Sequence, residues 1–167
     1  MRTLTLLAGA LSVLGFAVLG FAGLVQAQQG GHLYFEGDLV RGVQRGAPGP
    51  GCVLTNEFKR LEKVTWRIRV LEAGKSLDDK GLRSLVVELP DGQRFPARFG
   101  PHPPPSLGPA TDYFWSAIWI IPTTYPTGTF AYKVIATDLE GKTQTWEPFK
   151  EVRSQLTVVP GQIELKP

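Results

Sequence analysis

Residues 119–143, WIIPTTYPTGTFAYKVIATDLEGKT, decide the fold that we predict for this chain. They contain the end of one strand, a Pro-Thr-Gly turn at 126–128, a long strand and a tight turn at 139–141. Proline fixes φ and glycine permits a positive φ, so the chain reverses easily at such a turn. The apolar side chains that alternate along the long strand are Phe130, Tyr132, Val134 and Ala136, and the polar ones facing the other way are Thr129, Lys133 and Thr137. This alternation predicts a hairpin in a half-buried antiparallel sheet.

Similar patterns flank this stretch on both sides. Val64–Leu71 alternates strictly, with Trp66 on its apolar face, and an Asp-Gly pair at 91–92 predicts a second hairpin. Further strands are predicted at 32–43 (with a bulge at Gly37), 52–54, 84–90, 93–99, 112–121 and 154–159. Residues 56–62 fit either a turn or one helical turn, and the proline-dense 101–109 predicts a stiff surface loop rather than a strand. Seven to nine short strands indicate an all-β, two-sheet antiparallel β-sandwich.

The run from Ile121 to Thr143 resembles the closing strands of bacterial immunoglobulin-like modules. Those strands read as an apolar residue and proline, a spacer, Pro-Thr-Gly-Thr-aromatic, an alternating strand, and Thr-Asp-x-x-Gly; here the two motifs are PTGTF at 126–130 and TDLEG at 137–141. The resemblance implies an Ig-like sandwich and a non-catalytic role as a spacer, adhesion unit or docking piece beside another protein. Such modules often carry a glycine ahead of the strand that begins here at Val64, and this chain has Leu61 instead.

The N-terminus has the pattern of an export signal. Arg2 is the only charge before an apolar run from Leu4 to Val25, and Val-Gln-Ala at 25–27 is a small-residue cleavage site. We therefore expect a signal peptide at 1–27, a sandwich domain at 28–160 and a tail at 161–167. The apolar run is also long enough to span a bilayer, so the alternative is an uncleaved helical anchor, with residues 4–25 as the sole membrane contact. The expected location is periplasmic or extracellular, or anchored in the inner membrane with the domain outside.

The net charge and the number of cysteines argue against some classes of function. Without Arg2 the domain carries 17 basic side chains, one fewer than the 18 of the whole chain, against 15 acidic ones. So small an excess does not predict nucleic-acid binding. Cys52 is the single cysteine and has no internal disulfide partner, so we expect it to be buried or paired with another protein.

Catalytic and cofactor sites are not predicted. His32 and His102 lie far apart in sequence and outside any hydrolase or zinc motif, and a Cys52–His102 pair has no third group to orient it. Neither a copper nor a haem ligand set is present, so no cofactor is expected. Carboxylates at Asp78-Asp79 or at Asp138 with Glu140 could hold calcium, but turn carboxylates commonly cap the backbone instead.

Two surfaces are candidates for binding. Tyr113, Trp115 and Trp119 share one face of a strand, which is either an open aromatic platform or a covered core face. Arg67 and Arg69 form either a basic patch for an acidic partner or a solvated outer face. With His102 and the proline loop, these residues predict an accessory module that docks another exported protein. The alternatives are a carbohydrate-binding module that uses the same aromatics and, less favoured, a small redox or hydrolytic enzyme.

Overall fold

The computed structural model describes residues 31–43, 52–103 and 108–161. The predicted signal segment and tail residues 162–167 lie outside the described residues. The described part is all-β, with one short 3-10 turn at Val152–Ser154. Its thirteen strands are β1 Leu33–Arg41, β2 Val53–Leu54, β3 Glu57–Lys59, β4 Lys63–Glu72, β5 Lys75–Ser76, β6 Ser84–Glu88, β7 Arg94–Pro96, β8 Arg98–His102, β9 Asp112–Ile120, β10 Gly128–Phe130, β11 Lys133–Thr137, β12 Thr143–Trp146 and β13 Leu156–Val159. No helix among these residues is long and apolar enough to cross a membrane.

The strands form three sheets. Sheet 1 has the order β2-β1-β4-β9-β8, with β5 added to the end of β4. Sheet 2 has the order β12-β11-β6-β7, and the small sheet 3 has the order β10-β13-β3. All strand pairs are antiparallel except β13 with β3. This all-β arrangement is compatible with the predicted β-sandwich.

The core is formed by alternate side chains of facing strands. Along β4 the predicted alternation is confirmed: Val64, Trp66, Ile68 and Val70 are at most 1% exposed, and the residues between them face outward. The Trp66 ring packs against Phe95 and Trp119, and it meets Tyr132 of the second sheet edge-on at 6.0 Å. A fully buried apolar side chain stabilises a fold by about 1.5–3 kcal/mol, so this cluster is what joins the sheets.

Four local expectations differ from the structure. The long strand predicted after the Pro-Thr-Gly turn is divided into β10, in sheet 3, and β11, in sheet 2. Residues 57–59, within the ambiguous segment, form a strand, β3. Pro101 and His102 belong to β8 instead of a loop, because β8 is an edge strand and proline's missing N–H can be tolerated there. The bulge expected at Gly37 is wrong, since Gly37 pairs in register with Ile68. Gly37 permits a close approach: a Cβ would lie 3.1 Å from the ring of Trp146, which would have to shift slightly to make room.

Candidate functional site

The aromatic face of β9 is largely part of the core. Trp115 and Trp119 are 4% and 7% exposed. The Trp115 indole N–H donates to the Leu77 carbonyl at 2.9 Å, and Trp119 packs against Phe95 and Tyr125. These two rings therefore cannot form an outside docking surface as predicted, because the opposite sheet and its loops cover them. Only Tyr113 at the end of the strand remains open, 51% exposed and stacked on Phe99.

Arg67, Arg69 and His102 come together on the outer face of sheet 1. They meet around Phe114, which the sequence analysis did not single out. Each guanidinium carbon lies 5.3 Å from the centre of the Phe114 ring, and the His102 ring lies 5.6 Å from it. Period-two spacing could have suggested this cluster. Arg67 lies opposite Ser116 of the antiparallel strand β9, and Phe114, two residues before Ser116, faces the same side of the sheet as Arg67 and Arg69.

Carboxylates neutralise both arginines of this cluster. Arg67 donates from Nε and Nη2 to Asp38 at 2.8 and 2.5 Å, and Arg69 pairs with Asp112 and more distantly with Glu36. The hydrogen bond to Asp38 raises the pKa of Arg67, and the hydrogen bond from Arg69 lowers the pKa of Asp112. The surface is therefore of mixed charge, so its local electrostatics favour the solvated-face interpretation over a basic patch.

A groove with a largely apolar lining lies on the side of the molecule. We call it the side groove; it has a volume of about 510 Å³ and lies between β1 and the segment that follows β12. Phe149 and Leu54 stand on its rim, 80% and 67% exposed. Tyr132 and Trp146 line it from below, with Tyr132 only 5% exposed. Exposed aromatic and aliphatic side chains around a concavity are typical of protein-binding sites.

The side groove lies where the chain leaves sheet 2 and crosses to sheet 3. Residues 147–155 separate β12 from β13 and include Pro148 and the 3-10 turn. Proline cannot donate to a ladder, so the chain leaves the sheet at this point. The side-chain amide of Asn56 donates to the carbonyls of Val152 and Gln155, at 2.7 and 3.3 Å, and holds the insertion against the chain before β3.

Tyr132, which lines the side groove, carries a hydroxyl group close enough to Asp38 to feel its charge. Burial, and to a smaller extent the charge of Asp38, raise the pKa of Tyr132, so the phenol is neutral at physiological pH. Among the described residues this hydroxyl takes part in none of the side-chain hydrogen bonds that the structure forms. It is thus available to a ligand in the groove.

Gln144 of β12 bonds the chain at the start of β1. Its amide oxygen accepts from the Leu33 N–H, and its amide nitrogen donates to the Gly31 carbonyl, both at 3.0 Å. Next to it the Phe35 and Trp146 rings stack with centroids 6.1 Å apart. These contacts join β1 of sheet 1 to β12 of sheet 2 along the side of the molecule.

The remaining candidate chemistry is dispersed. Cys52 is exposed, so the buried-thiol expectation is wrong. It lies beside β1, whereas His102 lies in β8 at the opposite edge of sheet 1, so four inter-strand spacings, roughly 19 Å, separate them across the sheet alone. The Cys52–His102 catalytic pair, which the sequence analysis did not favour, therefore does not form.

The turn carboxylates act as backbone caps. Asp78 Oδ1 accepts from the N–H groups of Lys80 and Gly81, and Asp138 Oδ1 accepts from that of Lys142. Within residues 31–43, 52–103 and 108–161, no three His, Cys, Asp or Glu side chains gather into a group that could hold a metal ion. These oxygens have the local role that short polar side chains commonly have in turns.

Comparison with known proteins adds no relative. No protein-family model matches the chain, and neither a curated protein nor a solved structure matches it.

Proposed function

We propose that this chain is a non-catalytic, Ig-like binding module of an exported protein, serving as an accessory subunit that docks another exported protein through the side groove. The observation that carries the proposal is the pair of rim residues, Phe149 and Leu54, which remain 80% and 67% exposed above a concave aromatic surface. Large apolar side chains held in water at a concavity are the usual anchors of a protein interface.

Strand order supports the Ig-like part of the proposal. The order β1-β4-β9-β8 in sheet 1 corresponds to strands A-B-E-D of an immunoglobulin sandwich, and β7-β6-β11-β12 corresponds to C′-C-F-G. The two motifs of the resemblance lie near the end of the fold: Pro-Thr-Gly-Thr-Phe at 126–130 on β10 and the turn before it, and Thr-Asp-Leu-Glu-Gly at 137–141 on the end of β11 and the turn after it. Export is supported by the apolar N-terminal run and its small-residue cleavage site.

A protein partner is favoured over a carbohydrate. The carbohydrate alternative depends on an open row of aromatic rings, and two of the three, Trp115 and Trp119, are in the core. The side groove instead combines aliphatic and aromatic walls with neighbouring sheet edges, which suits a polypeptide.

The test removes the apolar rim without touching the core. Phe149→Asp combined with Leu54→Asp should reduce crosslinked recovery of the native partner from the producing cell by at least tenfold, because an anchor residue is worth about 2 kcal/mol or more. The matched control is Leu139→Asp, which changes a leucine that is 50% exposed in a turn outside the groove. Both variants should retain the wild-type thermal unfolding transition.

The proposal would be overturned by a partner that the rim variant and the control recover equally well. A partner that instead depends on Tyr113 or Arg69 would move docking to the outer face of sheet 1. Specific binding to a glycan array that survives the rim substitutions would favour the carbohydrate module.

A further inference from the structure

We infer that the occupant of the side groove is an extended peptide segment of the partner, which adds as a strand to the free edge of β1 and places an apolar side chain in the groove. The inference rests on the proposed function and names the chemistry of the partner. It is carried by the backbone groups of β1, the absence of a side chain at Gly37, and the charges beside that edge.

The hydrogen-bond register of β1 shows which backbone groups face outward. The Gly42 N–H donates to the Lys63 carbonyl at 2.8 Å, so even-numbered residues of this strand exchange hydrogen bonds with β4. The N–H and C=O groups of the odd-numbered residues therefore point away from β4. Consistent with this, the carbonyls of Leu39 and Arg41 accept from Thr55 and Cys52 on the other side.

Two residues of that edge have backbone groups that remain open. β2 pairs with β1 only at Val40 and Arg41, and Gln144 occupies the edge at Leu33. Between these contacts, the N–H and C=O groups of Phe35 and Gly37 have no partner among the described residues. They lie about 7 Å apart, which is the two-residue repeat of an extended chain.

Gln144 indicates what kind of group this edge accepts. Its primary amide receives one hydrogen bond and donates another, to groups that belong to the same row of odd-numbered residues. A primary amide presents its donor and acceptor toward the same side, as the N–H and C=O of one strand residue do, so the side chain occupies the place that a residue of an added strand would take. The next two positions along the row are the open ones.

The groove beside the open edge fits an inward-facing side chain. Gly37 has no side chain, and the Trp146 ring packs close to its backbone. A Cβ at this position would lie 3.1 Å from the ring and would push it aside. An added strand would direct alternate side chains between the sheets, toward Trp146, Phe149 and the unpartnered hydroxyl of Tyr132. Apolar residues suit these positions.

The outward-facing positions of the added strand would meet carboxylates. Glu36 faces outward on β1 with its side chain 62% exposed, and its nearest cation, Arg69, is 3.7 Å away. A lysine or arginine opposite it would have a charge partner across the strands. The expected ligand is therefore an extended segment that alternates apolar and basic residues.

The experiment uses the acetylated and amidated pentapeptide Val-Lys-Val-Lys-Val as the probe. Titration into the isotope-labelled full chain should shift the backbone amide signals of Phe35 and Gly37 and leave that of Gly100, on β8 at the opposite edge of sheet 1, unchanged. Two further probes carry N-methyl groups on all valines or on all lysines. One of these should bind at least tenfold more weakly and the other like the parent, because only alternate amides of a strand face the edge.

The outcomes separate the two proposals. If both N-methylated probes bind like the parent peptide, or if the amide signals of Phe35 and Gly37 do not shift, strand addition is wrong. The proposed function would still stand in that case if recovery of the partner depends on Phe149. Shifts at the same two amides on raising the protein concentration alone, or on adding cellohexaose, would identify a second copy or a carbohydrate as the occupant and overturn the inference.

Discussion

Leu61 shows backbone strain at a single residue. It adopts a φ of 70°, in the left-handed region, although its side chain is 56% exposed and packs little. For a residue with a Cβ this conformation costs about 1–2 kcal/mol. The position is fixed by the chain around it, since the Leu61 N–H donates to the Ile121 carbonyl at 2.8 Å. This is the position where the resembling modules often have glycine.

Replacing Leu61 with glycine should stabilise the domain. We expect Leu61→Gly to raise the free energy of unfolding by about 0.5–1 kcal/mol, because the relieved strain exceeds the added entropy of the unfolded chain. Urea denaturation followed by tryptophan fluorescence measures the change. The control is Leu139→Gly at an exposed position without positive φ, which should lower stability. A loss of stability in both variants would contradict the strain argument.

At the scale of the element, β9 has two apolar faces with different roles. Trp115, Ala117 and Trp119 are buried, whereas Ile118 and Ile120 are 55% and 52% exposed. Pairing with β4 decides between the faces, because Trp66, fully buried, lies opposite Ala117 and fixes that side as the inner one.

Neighbouring substitutions on β9 should therefore have unequal effects. Trp119→Ala should lower the free energy of unfolding by about 3–5 kcal/mol through loss of buried contacts and a cavity. Ile118→Ala, one residue earlier, should cost less than about 1 kcal/mol because the side chain is mostly in water. Chemical denaturation of the two variants in parallel checks this, and equal losses would show that both faces are covered.

The sequence predicted the strands in which the order of polar and apolar residues allows only one face to be buried. In β4 and β11 polar and apolar residues alternate, so the inner face could be identified from the sequence alone. β9 is apolar on both faces, and only its neighbours decide which one is buried. The side groove was not predicted because it depends on contacts between distant segments, such as Phe35 with Trp146. Gly37 was a usable signal, but the pattern suggested a bulge and not a close approach.

Across the whole molecule, the packing of the sheets keeps two tyrosines protonated. Burial, with the nearby charge of Asp91, raises the pKa of Tyr125 to about 12. Burial raises the pKa of Tyr132 as well. Ionisation in the unfolded chain occurs near the ordinary tyrosine value of about 10. Both phenols thus contribute stability that is fully present below pH 10.

Stability should accordingly fall in alkali. As the pH rises from 10 toward 12 the unfolded state loses phenolic protons that the folded state keeps, so the free energy of unfolding decreases. Urea denaturation at pH 8, 10, 11 and 11.5 measures the decline. The double variant Tyr125→Phe/Tyr132→Phe should decline less steeply over this range than the wild type. Parallel curves for the two proteins would contradict the assignment.

The short opening in the edge of β1 also bears on solubility. Sheets that grow into fibrils need long, flat edges. Here Gln144 bonds β1 at one end of the opening and Thr55 bonds it at the other, so that only a peptide of a few residues can pair with this edge. The side chains of Glu36 and Asp38, each paired with an arginine, stand next to the opening, and charged side chains at a sheet edge disfavour pairing between the edges of two molecules. We therefore expect this edge to contribute little to polymerisation at high protein concentration.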